Sequence, residues 1–138
     1  MDESRVERLL DLVQARHIDR SLPAAARICL ACSTAINVDG AGVSLVTRVA
    51  HRSIAASDDI AAAIERAQVE TREGPCLDVH ESRRPVMEPD LLSASARRRW
   101  PTFSAVALDR GVRAVFGFPL IIDREPIGAL DLHSAQAP

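Results

Sequence analysis

Two pairs of β-rich segments are joined by connections short enough for a hairpin. Residues 41–49 (AGVSLVTRV) and 51–57 (HRSIAAS) have one residue between them, and residues 112–122 meet 127–134 (IGALDLHS) through the turn at 123–126. Antiparallel strands accept such connections, whereas parallel strands need a crossover of about a dozen residues or more. The sequence therefore predicts two antiparallel hairpins.

Helical patterns surround these strands. Apolar residues spaced i, i+3, i+4 and i+7 predict an amphipathic helix within residues 1–18; they are Val6, Leu9, Leu10 and Val13. The later segments are an apolar helix from Ser21, a helix over 59–70 capped by Ser57 or Asp58, a helical turn over 77–82, a short strand over 85–90 and a helix within 93–110 after Pro101. This order predicts an α+β fold, with helices on the faces of an antiparallel sheet. No glycine-rich turn links a strand to a helix, which argues against a dinucleotide-binding fold.

Length and composition restrict the function. A chain of 138 residues fits one compact domain. It contains no tyrosine, and all 17 basic residues are arginine, which excludes lysine Schiff bases, a P-loop lysine and a tyrosine proton donor. The net charge of -2 argues against nucleic acid as the main partner. No apolar run approaches the ~18 residues that span a bilayer, and no signal region is recognisable, so we expect a cytoplasmic protein.

Three cysteines are an odd number, which argues against a disulfide framework. Cys29 and Cys32 form a Cys-x-x-Cys in the middle of the apolar helix, whereas redox pairs normally open a helix. A tetrahedral zinc site there would need two more ligands from Cys76, His80 and His133, far along the chain. Core packing is the favoured interpretation of Cys29 and Cys32, and no metal site is predicted.

The turn Glu73-Gly74-Pro75-Cys76 places a thiol at the start of a helix. Glycine permits a positive φ and proline sets the next φ at about -65°. A helix N-terminus lowers the pKa of a thiol, and His80, four residues on, is placed to face the sulfur. Thiolate chemistry at Cys76 with His80 is therefore one hypothesis. The alternative is a purely structural role, in which Cys76 is a small buried residue that stabilises the loop.

Asp131 and His133 alternate along the last predicted strand and therefore share one face. A carboxylate beside an imidazole is a catalytic arrangement, but no Gly-x-Ser-x-Gly nucleophile accompanies it. His17 and His51 are expected to be exposed.

Trp100 and Phe103 are two of only four aromatic residues. We expect them to anchor their helix on the sheet and to form one wall of a pocket. The adjacent run 97–99, Arg-Arg-Arg, is expected to be a solvated face, although arginine beside an aromatic ring can also bind phosphate.

Four segments in series resemble a GAF domain: residues 72–91 (REGPCLDVHESRRPVMEPDL), 98–103 (RRWPTF), 111–120 (GVRAVFGFPL) and 126–134 (PIGALDLHS). The resemblance is closest to the actinobacterial type that precedes an ANTAR RNA-binding module in antitermination regulators. It implies a PAS-related α+β fold, with a six-stranded antiparallel sheet and helices on both faces. It also implies that residues 1–18 form a dimerising and signalling helix and that 19–138 form the sensor domain, without its C-terminal helix and output domain.

The resemblance implies a sensory function rather than an enzyme: the domain binds a small molecule and regulates signalling or transcription antitermination through an output domain. The residues expected to bind the ligand are Cys76, His80, Trp100, Phe103, Phe116, Asp131 and His133. A homodimer is expected through Val6, Leu9, Leu10 and Val13, with no membrane or nucleic-acid contact by this domain.

The ligand itself is left open. Without lysine, the lysine-containing signature of cyclic-nucleotide GAF domains is absent, and Cys76 and His80 lack the adjacency of a bilin-carrying pair. Haem or another small ligand is a candidate cofactor, with no motif that selects a histidine. Two alternatives stay open: a redox sensor or reductase of GAF fold that uses Cys76, and a structural interaction domain with a collapsed pocket.

Overall fold

The computed structural model describes residues 38–47 and 49–137 of the chain. In chain order, their elements are β1 (Gly40–Val46), β2 (His51–Ala56), α1 (Asp59–Thr71), α2 (Pro75–Ser82), β3 (Val86–Glu88), α3 (Ala94–Arg99), α4 (Pro101–Asp109), β4 (Ala114–Ile122) and β5 (Glu125–Ser134).

The strands form one antiparallel sheet in the order β2, β1, β5, β4, β3. Both predicted hairpins are confirmed, because β1 pairs with β2 and β4 pairs with β5. Asp123 and Arg124 turn the second hairpin with φ of 50° and 69°, as the twist of a two-residue hairpin requires. Glu125 and Pro126, which were expected in this turn, belong to β5. The α+β class is confirmed, with five strands in the described residues where the resemblance implies six.

Local sequence signals set the helix boundaries. The Asp58 side chain caps α1 by accepting a hydrogen bond from the Ala61 N–H at 2.7 Å. Pro75 opens α2, where its missing N–H costs nothing. The helix predicted after Pro101 is confirmed as α4, and a further short helix, α3, precedes it. The two are separate because Pro101 cannot donate the hydrogen bond that would continue α3 into α4.

The loop between α1 and α2 is tied to α4 by one carboxylate. Glu73 Oε1 accepts hydrogen bonds from the backbone N–H groups of Thr102 and Phe103, both at 2.9 Å. The first N–H groups of a helix have no partner within it, so Glu73 stabilises the start of α4. The contact holds the loop that leads to Cys76 close to the aromatic core.

Helices α1 to α4 pack on one side of the sheet, which we call the helix-covered face. Buried residues that unite these helices with the strands include Ile64, Cys76, Val79, Phe103, Val115 and Ala129. The opposite face presents Ala41, Leu130 and Leu132, with Phe116 and Phe118 partly buried beside them.

The cluster on the opposite face contains, among the described residues, only strand residues and Val38. The two predicted N-terminal helices, including Val6, Leu9, Leu10, Val13, Cys29 and Cys32, lie outside the described residues, as does His17. The second helical layer and the dimer surface therefore stay predictions. Of the helices in the described residues, none is both long and apolar enough to cross a membrane.

Candidate functional site

The helix-covered face buries a group of neighbouring polar side chains. Ser44 on β1, Glu65 and Gln68 on α1, and Asp131 on β5 are each at most 4% exposed. Acidic side chains are almost never this buried unless they are paired. We call these four residues together with Cys76 the polar cluster.

The Glu65 side chain on α1 contacts the sheet at Gly42 of β1. Ser44 Oγ donates a hydrogen bond to Glu65 Oε2, and one carboxyl oxygen of Glu65 lies within 4.8 Å of one of Asp131. A Cβ atom at position 42 would collide with the Glu65 side chain. Gly42 therefore makes the space in which Glu65 meets the sheet.

Gln68 connects Asp131 to the start of α2. Its Nε2 donates to Asp131 Oδ2 at 3.2 Å, and its Oε1 accepts from the backbone N–H of Cys76 at 2.9 Å. Gly74 has φ of 123°, and a Cβ atom there would lie 2.6 Å from Gln68 Oε1. Glycine is thus required both by the backbone and by the close approach of the amide. The Gln68 amide fixes the position of Cys76 relative to Asp131.

The Cys76 thiol faces two carboxyl groups and an imidazole. Its Sγ lies 3.2 Å from Nε2 of His51 on β2. Sγ and one oxygen each of Glu65 and Asp131 lie within 4.8 Å of one another. Three donor groups therefore converge from α1, α2 and β5, and His51 on β2 lies beside the sulfur.

Burial governs ionisation in the polar cluster. Removal from water raises the pKa of Asp131 well above its usual range, and the adjacent Glu65 raises it further. Burial likewise raises the pKa of Glu65. The pKa of the Cys76 thiol is raised by burial and then by Asp131 and Glu65. The expectation that the helix N-terminus lowers this pKa is wrong, because desolvation and two carboxyl groups outweigh the helix.

Two of the predicted ligand-binding residues, Cys76 and Asp131, belong to the polar cluster. His133 follows Asp131 by two residues on β5 and is also buried. Both residues line a small closed space between the helices and the sheet. Asp131 does not orient this imidazole: both ring nitrogens of His133, like Asp131 Oδ1, have no hydrogen-bond partner among the described residues. Burial lowers the pKa of His133, although Asp58 lies 4.0 Å from its Nε2.

The imidazole at hydrogen-bond distance from the Cys76 sulfur belongs to His51 and not, as expected, to His80. His51 was expected to be exposed but is partly buried, because β2 contacts α1. Burial, and then the nearby His80, lower the pKa of His51. His80 is also partly buried, and its Nδ1 has no partner among the described residues.

The predicted aromatic residues lie on different faces of the sheet. Trp100 and Phe103 belong to the core of the helix-covered face, with ring centroids 5.8 Å apart and planes at 88°. Phe116 lies on the opposite face, because successive side chains of β4 alternate and Val115 faces the helices. The arginine run 97–99 is exposed, as predicted, with the Arg99 guanidinium 4.2 Å from the centre of the Trp100 ring.

Sequence reasoning missed Ser44, His51, Glu65 and Gln68 as site residues. One signal was present: Glu65 and Gln68, three residues apart, interrupt the buried side of α1 that carries Ala61 and Ile64. Polar residues on a buried helix face need partners. Nothing local indicates that the partners come from β1 and β5.

The raised carboxyl pKa values predict an unusual pH dependence of stability. Between about pH 4, where unfolded carboxyl groups ionise, and the raised folded values, the folded state holds protons that the unfolded state has lost. The free energy of unfolding should therefore fall as pH rises through this window. Asp131→Asn should flatten the fall, as measured by urea unfolding with EDTA at several pH values.

The matched control for this measurement is Asp109→Asn, which removes an exposed carboxylate. The lowered pKa values of His51 and His133 act with the opposite sign, because these rings protonate more readily in the unfolded chain below about pH 6.5. That contribution is present in wild type and in both variants, so the difference between curves reports on Asp131 and the groups that it contacts. Parallel curves for wild type and Asp131→Asn would contradict the prediction.

The fold and site define a class of module, in which helices cover one face of an antiparallel sheet and enclose a polar site. The GAF domain family matches residues 22–138, and the chain belongs to this family. GAF domains are commonly sensory, ligand-binding domains of signalling proteins. Comparison with curated protein sequences gives no match.

Solved structures share the fold at low sequence identity. The GAF domain of a phosphoenolpyruvate-protein phosphotransferase from Acinetobacter is 15% identical, with a TM-score of 0.64 over 100% of this chain and 81% of that chain. A domain of a putative two-component sensor histidine kinase from Sinorhizobium meliloti is 19% identical, with a TM-score of 0.59 over 78% and 68%. A type II free methionine-R-sulfoxide reductase from Thermoplasma acidophilum is 14% identical, with a TM-score of 0.54 over 94% and 79%.

Proposed function

We propose that this GAF domain is a sensor that binds a small molecule at the helix-covered face and regulates a signalling output, of the actinobacterial GAF-ANTAR antitermination type. The observation that carries the proposal is the polar cluster, with Asp131 Oδ1 buried and unpartnered among the described residues. A core that serves packing alone rarely leaves a buried carboxyl oxygen unpaired, since this costs free energy. A binding site supplies such groups to orient a ligand. The antitermination subtype rests on the sequence resemblance over residues 72–134.

The space beside the polar cluster is closed. Gly42, Ala61, Pro75, Asp131 and His133 are among its lining residues, and it has no room for a water molecule. A ligand that pairs with Asp131 and His133 must therefore separate α1 or α2 from the sheet. Such a ligand binds the open packing better than the closed one, and this differential affinity is what a sensor requires.

Strand β5 connects the site to the opposite face of the sheet. In β5, Asp131 faces the helices while its neighbours Leu130 and Leu132 face the opposite side. We propose that the N-terminal helix, dimerising through Val6, Leu9, Leu10 and Val13, responds at that side.

The dimer is tested by light scattering of the full chain. We expect a dimer that Leu9→Glu disrupts and that Arg8→Glu, on the predicted polar side of the helix, leaves intact.

The closed space favours a second candidate function, an interaction domain with a collapsed pocket. Cysteine-dependent redox chemistry has no such support, since burial and two carboxyl groups disfavour the Cys76 thiolate.

Native mass spectrometry and the visible spectrum of the full chain as purified test the sensor proposal. A chain that has lost its ligand during purification is incubated with the small-molecule filtrate of the host cell lysate and measured again. We expect a bound molecule in wild type and in Asp109→Ala, with loss or strong depletion in Asp131→Ala. Hydrogen exchange in α1 and α2 should change with binding. No bound mass under either condition, with unchanged exchange, would support the collapsed interaction domain instead.

A further inference from the structure

We propose that the Cys76 thiolate and the carboxylates of Glu65 and Asp131 form a binding site for a divalent transition-metal ion, with the His51 imidazole as the fourth donor. The inference deepens the proposed function and rests on it only in placing the ligand at the polar cluster. It names a ligand class that the sequence patterns did not indicate.

The donor atoms already converge. Sγ of Cys76 and one oxygen each of Glu65 and Asp131 lie within 4.8 Å of one another, and Nε2 of His51 is 3.2 Å from the same sulfur. In a tetrahedral zinc site, with bonds of about 2.0–2.3 Å, neighbouring ligand atoms lie about 3.5 Å apart. Movements of about 1 Å would therefore bring the three principal donors to ligating distance.

The site needs a positive charge when its acids ionise. No ion pair within residues 38–47 and 49–137 involves Glu65 or Asp131. Asp131 is 4% exposed, and its Oδ1 has no partner among these residues. A divalent ion that binds here would displace the proton of the Cys76 thiol, together with any carboxyl protons, to solvent.

The surroundings of the donors resemble the supporting residues of a metal centre. Ser44 Oγ donates to Oε2 of Glu65, and Gln68 Nε2 donates to Oδ2 of Asp131. Each carboxyl group thus has one oxygen oriented by a neutral donor, which leaves the other for a metal. Hydrogen bonds of this kind orient ligands and increase metal affinity.

The donor set selects the class of metal. Mg²⁺ and Ca²⁺ prefer oxygen ligands alone, and Cu⁺ prefers sulfur. One thiolate, one imidazole and two carboxylates suit Zn²⁺ and neighbouring divalent ions such as Fe²⁺ and Co²⁺. Co²⁺ is therefore an appropriate spectroscopic probe.

The test is a Co²⁺ titration of the full chain, stripped with EDTA, desalted and kept reduced. We expect one Co²⁺ per chain, a thiolate-to-cobalt absorption band in the near ultraviolet, and loss of that band when Zn²⁺ is added. Cys76→Ser should abolish the band. The matched control is the double variant Cys29→Ser, Cys32→Ser, which removes the other two thiols and should retain it.

Near-isosteric variants keep the proposal testable if Cys76→Ser does not fold. Glu65→Gln and Asp131→Asn should each weaken Co²⁺ binding by at least about 10-fold, with circular dichroism confirming the fold. Wild type without the band would overturn the proposal, as would a band that survives Cys76→Ser or unchanged affinity in both carboxyl variants. An organic molecule retained by a chain that does not bind Co²⁺ would overturn the metal site but leave the sensor proposal standing.

Discussion

Trp100→Ala is expected to lower the free energy of unfolding by about 3–5 kcal/mol, the range for removing a large buried aromatic side chain. Trp100 is 1% exposed and packs edge-on against Phe103. Its Nε1 donates a hydrogen bond to Asp78 Oδ2 at 3.0 Å, which connects α2 to the aromatic core. Domains of this size have a total stability of about 5–15 kcal/mol, so the loss is a large fraction of the stability of the fold.

Urea unfolding followed by circular dichroism measures this loss, since Trp100 is the single tryptophan and its fluorescence disappears in the variant. Trp100→Phe is the matched control, because it keeps an aromatic ring but removes the hydrogen bond to Asp78. Its expected cost is about 1–3 kcal/mol. An alanine variant within 1 kcal/mol of wild type, roughly the cost of an average substitution, would show that the aromatic cluster does not support the fold.

Gly128→Ala should destabilise the protein by about 3 kcal/mol or more, at the upper end for an overpacked core. Gly128 on β5 lies opposite Leu45 on β1. A Cβ atom there would collide with the Ser44 carbonyl oxygen and lie 3.1 Å from its carbon. These are backbone atoms, so no side-chain rotation relieves the contact and the two strands must move apart. Strand propensity alone gives the opposite sign, since alanine is favoured over glycine by about 0.5–1 kcal/mol.

Gly111→Ala is the control for this prediction. It adds the same methyl group where nothing lies within 4 Å, at φ of 84°, so only backbone strain of about 1–2 kcal/mol is expected. Denaturant unfolding compares the two variants, and hydrogen exchange in β1 should rise only in Gly128→Ala. A Gly128→Ala protein as stable as wild type would mean that β1 and β5 separate at little cost. Because β1 also carries Ser44, the variant should loosen the polar cluster as well.

Hairpins, helix caps and the turn at Gly74 could be read from the sequence because their causes lie within a few residues. Asp58 caps the helix that follows it, and Pro101 interrupts a helical pattern in place. The ordered segments of residues 72–134 were sufficient to indicate a GAF domain, which the family match over residues 22–138 confirms. The helix after Pro101 was predicted, whereas the short helix α3 before it was not.

Two of the five residues of the polar cluster were identified from the sequence. Cys76 and Asp131 were singled out, but their expected partners were His80 and His133, chosen by spacing along one helix or one strand. The structure instead joins Gln68 to Asp131 across 63 residues and His51 to Cys76 across 25. Strand order decides these contacts, since β1 pairs with both β2 and β5 and lies beneath α1.

The sequence by itself determined most elements of this domain and its antiparallel hairpins, because connection length, capping and alternation act over short distances. Its family was indicated by the resemblance of four sequence segments to a GAF domain. Only the tertiary structure decided which faces and partners those elements acquire. It buried Glu65 against Asp131, put His51 rather than His80 beside the Cys76 sulfur, and raised the pKa of a thiol that its helix position alone would have lowered. The physical reason is that desolvation and long-range pairing depend on how distant segments pack, and both outweigh the local effects that a sequence displays.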